Sequence, residues 1–82
     1  MPTFREVADA IEARIRAGEW AAGEKIPSTT AFGAEYGVSE ASAYRALVLL
    51  VDRGLLRGEP GRGRFVRDES HPTDVGESRL GD

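Results

Sequence analysis

Apolar residues near the start of the chain return at helical spacing, with Phe4, Val7, Ala8, Ile11 and Ile15 on one face and Arg5, Asp9, Glu12 and Arg16 between them. Thr3 followed by Glu6 has the spacing of a capping box, and Gly18 stands where a helix commonly ends on a left-handed residue, so the pattern predicts a helix over 3–17. Glu19 to Pro27 reads as a connection, with Gly23 for a turn and Trp20 and Ile26 as apolar anchors. Ser28 is placed to cap a short second helix carrying Ala31, Phe32, Glu35 and Tyr36, which Gly37 ends. Ser39 caps a third helix from Glu40 to Arg53, and Gly54 stops it. Two helices joined by a few residues that include a glycine have the spacing of a helix-turn-helix.

Beyond Gly54 the period changes. Leu55-Leu56-Arg57 and Arg64-Phe65-Val66-Arg67 read as short strands, and Gly58-Glu59-Pro60-Gly61-Arg62-Gly63 as the loop between them. The predicted fold is mainly α with a small β-hairpin: three helices plus a wing, a winged helix-turn-helix. After Val66 apolar periodicity is lost. Residues 68–82 are acidic and rich in Ser, Pro, Gly and Thr, the composition of a disordered tail, which leaves 1–67 as the single domain.

Composition narrows the chemistry. The chain has 82 residues and no cysteine, so neither a disulfide nor a thiolate metal site can supplement a small core. No apolar run approaches the roughly 20 residues that cross a bilayer, and the N-terminus lacks the basic-then-apolar order of a signal peptide. These features predict a soluble, cytoplasmic protein with no membrane partner. The single histidine, His71, falls in the predicted tail, and no nucleophile is paired with a base. Gly58, Gly61 and Gly63 precede a strand, not a helix, and match neither phosphate-binding fingerprint. The expectation is therefore no enzyme, no cofactor and no metal.

The net charge of −3 divides unevenly: ten basic and nine acidic side chains fall in 1–67, against one and five in 68–82. Just before the acidic segment, Arg57, Arg62, Arg64 and Arg67 are offset only by Glu59 within 55–67. A basic hairpin thus adjoins an acidic stretch that can compete with a polyanion for it.

The order of these pieces resembles the DNA-binding domain of GntR-type bacterial transcription regulators. The matching segments are Ile11 to Gly18, Gly23-Glu24-Lys25-Ile26-Pro27-Ser28, Tyr36-Gly37-Val38-Ser39, Ala46-Leu47 with Leu50, Gly54-Leu55-Leu56, and Gly61-Arg62-Gly63-Arg64-Phe65-Val66. Each is weak alone; their joint order and spacing are specific. The resemblance implies a sequence-specific regulator of transcription that binds double-stranded DNA. In that family the domain is typically coupled to a larger module that binds a small-molecule effector and often dimerises. About 15 residues follow the wing here, so no effector domain is expected within this chain. The irregular tail favours a natural small protein over an excised domain.

In such a fold the N-terminal part of helix 3 enters the major groove and the wing lies near the minor groove. Val38, Ala43, Leu47 and Leu50 are spaced to face the core, which leaves Glu40, Ala41, Tyr44 and Arg45 outward, with Ser42 near the edge. Arg45 can pair with guanine or phosphate, Ser42 and Tyr44 offer hydroxyls, and Ala41 fits against a thymine methyl. Glu40 can accept from cytosine N4 or simply favour the helix macrodipole. Ser28 and Thr30 open helix 2, where backbone N–H groups hold a phosphate. In the wing, Gly61 and Gly63 allow close approach, Arg62 projects toward the minor groove, and Arg57 and Arg64 serve as phosphate contacts. The family commonly carries Arg where Thr30, Glu40 and Tyr44 stand, so its usual half-site does not carry over.

Leu47-Val48-Leu49-Leu50-Val51 is apolar all round helix 3, where a lone surface helix shows only a stripe. A homodimer contact there, joined by Trp20 and Phe4, would suit a two-fold operator. A chain with no second domain has little surface for recruiting polymerase, which favours repression. The rival reading is a winged-helix module that docks on another regulator without binding DNA itself.

Overall fold

The computed structural model describes residues 2–67; the expected acidic tail, with His71, lies outside them. Three helices, α1 (Phe4–Arg16), α2 (Thr29–Tyr36) and α3 (Glu40–Asp52), precede two strands, β1 (Leu56–Glu59) and β2 (Gly63–Val66). Each helix begins where a side chain satisfies an orphan backbone donor. The Thr3 hydroxyl accepts from the Glu6 amide at 3.2 Å while the Glu6 carboxylate accepts from the Thr3 amide at 2.8 Å. Ser28 caps α2 by accepting from the Ala31 amide, and Ser39 caps α3 by accepting from the Ser42 amide, each at 3.1 Å. Such a cap stabilises a helix by about 1 kcal/mol. Gly37 closes α2 in the left-handed conformation at φ 69°.

α3 packs against both α1 and α2, and the core lies where the three meet β1. Phe32 is fully buried within it, edge-to-face with Trp20 at 6.1 Å and beside the tilted ring of Tyr36 at 6.2 Å between centroids. Ile11 and Val7 of α1, Leu47 and Leu50 of α3, and Leu56 of β1 complete it. Burying each such side chain stabilises the fold by about 1.5–3 kcal/mol before entropy is counted. Gly33 sets how closely the turn can approach: a Cβ there would lie 3.1 Å from the Val38 carbonyl oxygen, so the bare backbone of α2 seats the turn into α3.

The apolar run of α3 is mostly absorbed by this core. Ala46, Leu47 and Leu50 are buried, Leu49 and Val51 pack against it half-buried, and Val48 alone of the run is exposed, at 36%. Trp20, expected at a dimer contact, is buried against Phe32, and Phe4 is half-buried.

The wing differs from expectation in two ways. Gly58 and Glu59 belong to β1 and Gly63 to β2, so the loop shortens to Pro60-Gly61-Arg62, while Leu55 and Arg67 fall outside the strands. The antiparallel register pairs Leu56 with Val66, Arg57 with Phe65, Gly58 with Arg64 and Glu59 with Gly63. The stretch assigned to a connection also pairs with β2 on its other edge. The Gly23 amide donates to the Val66 carbonyl, the Val66 amide to Glu24 and the Ile26 amide to Arg64, with Lys25 opposite Phe65. This short second ladder ties the wing to the α1–α2 connection and leaves less of the hairpin free to swing.

Candidate nucleic-acid interface

The first turns of α3 present one exposed polar face. Glu40, Ala41, Tyr44 and Arg45 are all exposed, and Ser42 is half-buried at the edge. Spacing by four residues sets Tyr44 one turn beyond Glu40, and Arg45 one turn beyond Ala41. The Thr30 hydroxyl of α2 donates to the Glu40 carboxylate, so the two helices meet through side chains at this face. Ser28 is exposed, and its hydroxyl already caps α2. The Arg45 guanidinium lies over the Phe4 ring, 4.4 Å from its centroid, which draws it toward the N-terminus of α1.

The wing carries its cations on two faces. Strand alternation puts Arg64 and Gly58 on the side of buried Leu56 and Val66, whereas Arg57, Glu59, Phe65 and Gly63 point the other way. Arg64 reaches the recognition helix, with its guanidinium 5.2 Å from the Tyr44 ring centroid. Between them a cleft of about 490 Å³ is lined by Tyr44, Gly58, Glu59, Gly61 and Arg64 among others. Arg57 lies over Phe65 and donates to Glu59 at 2.8 Å on the outer face. Arg62 stands at the tip, its side chain 75% exposed, with Glu59 at 3.8 Å. The structure thus brings Arg64 to Tyr44 and Thr30 to Glu40 on the exposed side of α3, sets Arg62 at the hairpin tip beside Glu59, and separates Arg57 from Arg64.

Two residues of the region escaped the sequence reading. Glu59 entered it only as one unit of charge, yet its carboxylate engages both Arg57 and Arg62 and sets how much of their charge is available. Lys25 runs across the outer face: its Cε would lie 2.7 Å from a Cβ built on Gly63, where φ is +117°. Gly63 is therefore favoured by its backbone conformation, while the flexible end of the lysine could shift aside for a side chain there. Only the pairing of 23–26 with β2 reveals that Lys25 belongs to the wing.

Among the described residues no group of His, Cys, Asp and Glu side chains has the arrangement of a metal site, and no helix is long and apolar enough to cross a membrane. What the face offers is cations, hydroxyls and two carboxylates, Glu40 on the helix and Glu59 in the hairpin.

Comparison with known proteins agrees with this geometry. Residues 3–66 match the gntR family of bacterial regulatory proteins. The mannosyl-D-glycerate transport/metabolism system repressor MngR of Escherichia coli is 34% identical over 74 residues, covering 90% of this chain and 31% of MngR. The histidine utilization repressor of Klebsiella aerogenes is 37% identical over 67 residues, 82% of this chain and 28% of the relative. The chain spans less than a third of the length of the curated relatives it matches. Among solved structures, the DNA-binding domain of AraR in complex with operator ORX1 superposes with a TM-score of 0.75 at 32% identity, covering 80% of each chain. A match over the whole winged helix-turn-helix, from the α1 cap to the last wing strand, makes this chain a member of the gntR family of bacterial regulatory proteins.

Proposed function

We propose that the chain is a sequence-specific DNA-binding regulator that represses transcription, with the N-terminal half of α3 in the major groove and the wing tip at the minor groove of double-stranded DNA. The observation that carries this reading is the contact of Arg64 with Tyr44, which joins hairpin and recognition helix into one surface with Arg62 exposed at its tip. The relatives named as repressors and the operator complex of AraR support it. Residues 1–67 are the DNA-binding domain of this reading, and the acidic 68–82 segment competes with DNA for the wing. Among the proposed contacts, the backbone amides at Ser28 and Thr30 hold a phosphate at the start of α2, Ser42, Arg57 and Arg64 meet phosphates, Arg62 with Gly61 and Gly63 enters the minor groove, and Glu40, Ala41, Tyr44 and Arg45 face bases. The protein works in the cytoplasm without a cofactor and catalyses no reaction.

Two copies occupy a two-fold operator, since an inverted repeat doubles the contacts one small domain can make. Val48, beside Phe4, is the apolar surface that supports pairing, and it is too small for a tight dimer off DNA. Docking on another regulator in place of DNA finds little support, because Tyr44 and Val48 are the exposed large apolar side chains among the described residues.

Selection of bound sequences from a random duplex library at moderate salt tests the proposal. An enriched inverted repeat is expected. An isolated half-site refutes the paired arrangement, and no enrichment even at low salt refutes DNA recognition.

A further inference from the structure

We propose that Glu40, oriented by Thr30, is the residue through which the recognition helix selects cytosine. The inference rests on the reading of this face as a major-groove surface and adds the base it discriminates. Glu40 is the first residue of α3, exposed, and its carboxylate accepts the Thr30 hydroxyl across the turn. Among the described residues the ion pairs engage Asp9, Glu12, Glu19, Glu35 and Glu59, and Glu40 takes part in none. An unneutralised carboxylate at a surface meant for a polyanion opposes phosphate, so its contribution lies in discrimination and not in affinity.

The base follows from hydrogen-bond polarity. A carboxylate only accepts. In the major groove cytosine presents an N4 donor, guanine presents O6 and N7 acceptors, and thymine presents an O4 acceptor and a methyl group. Adenine has an N6 donor, but its adjacent N7 acceptor repels a second carboxylate oxygen. Cytosine is therefore favoured, adenine second, and guanine and thymine are rejected. Thr30 occupies one lone pair of the carboxylate and restrains its rotamer, so the remaining lone pairs can accept from a base with less freedom to lose on binding. Thr30 is a positioning residue in this arrangement.

The test is library selection with the full chain as wild type, Glu40→Gln, Thr30→Val and Thr30→Ser. It is followed by titration of duplexes differing at one base pair. Wild type should enrich cytosine at one position of each half-site and prefer it over guanine or thymine by about tenfold. Glu40→Gln should bind more tightly overall and shift that position to adenine, since an amide both donates to N7 and accepts from N6. Thr30→Val should narrow the cytosine preference severalfold, and Thr30→Ser should restore it. A motif from wild type that Glu40→Gln leaves unaltered overturns the assignment while the DNA-binding reading stands. Equal preference in Thr30→Val and wild type overturns the role of Thr30. If wild type enriches nothing, the inference falls together with the reading beneath it.

Discussion

Arg64 of the wing holds its guanidinium 5.2 Å from the centroid of the Tyr44 ring on the recognition helix. The cation–π contact is worth about 0.5–1 kcal/mol at an exposed site. Its larger consequence is geometric. A hairpin tethered to α3 presents its tip at a set distance from the helix, which in the proposed docking lowers the ordering cost of engaging two grooves together.

Tyr44 and Arg64 should therefore behave as a coupled pair in DNA binding. Tyr44→Ala and Arg64→Ala are each expected to weaken binding to a selected duplex by about tenfold. The double variant should lose less than the product of the two, by a coupling of about 0.5–1 kcal/mol. Tyr44→Phe keeps the ring and should keep the coupling to Arg64. Fluorescence anisotropy titrations measure the cycle. Strict additivity would mean that ring and guanidinium act separately on DNA.

Glu59 should restrain affinity. Its carboxylate accepts from Arg57 at 2.8 Å and faces Arg62 at 3.8 Å, so it competes with phosphate for both. Glu59→Gln is expected to tighten binding severalfold and to steepen the dependence of log K on log salt by about 0.9 for each arginine contact released. Arg62→Ala should flatten the same slope by about 0.9 and weaken binding on all sequences alike. Salt titrations on specific and random duplexes separate these outcomes, and an unchanged slope in both variants would place the wing tip away from the backbone.

The helices were legible because their determinants are local. Thr3 with Glu6, and Ser28 and Ser39 with amides three residues on, are chemistry contained in one turn, and Gly37 marks the α2 end just as locally. The pairing of Gly23–Ile26 with β2 was not legible, because Ile26 is its one buried apolar side chain and its partner lies far along the chain. The same limit applied within the wing. Arg57 and Arg64 read alike as basic strand residues, and only the register of Leu56 with Val66 shows that they face opposite ways. Glu40 was recognised as an unusual residue for its place, but its contact with Thr30 joins two helices and needed the fold.

Gly63 and Gly58 face each other's strands, yet they should respond oppositely to substitution. At Gly63, φ is +117°, so Gly63→Ala is expected to cost about 1–2 kcal/mol, mostly in backbone strain, since the Lys25 Cε that a Cβ would approach at 2.7 Å can move aside. At Gly58 a Cβ meets nothing within 4 Å and φ is not positive, so Gly58→Ala should be neutral or stabilising by about 0.5 kcal/mol. Urea denaturation measures both. Adding Lys25→Ala to Gly63→Ala should recover only the part of the loss due to contact, because the backbone strain remains. Full recovery would show that φ at this position carries no cost.

Arg14 links three parts of the fold, and its pairs predict how stability responds to acid. It donates to Glu19 at 2.8 Å, to Glu35 and to the Tyr36 hydroxyl at 2.9 Å each, and lies 4.8 Å from the Trp20 ring centroid. Its hydrogen bond holds the Glu19 carboxyl below the ordinary value of 4.5, and Arg16, aided by Arg53, does the same for Glu12 against an opposing desolvation. A carboxyl whose folded-state value is depressed binds fewer protons folded than unfolded in that range, so its contribution is complete above the unfolded value and fades as pH falls through the folded one. Thermal stability from this source should be flat from pH 7 to about 5.5 and decline below about 4.5. Arg14→Gln should lower the melting temperature at pH 7, and the gap to wild type should narrow at pH 3 as Glu19 protonates. It should not close, because the packing of Arg14 on Trp20 is independent of pH in this range. Melting curves across that window decide it: a gap that stays constant would assign the effect of Arg14 to its packing on Trp20 and its hydrogen bond to Tyr36, and none to its carboxylate partners.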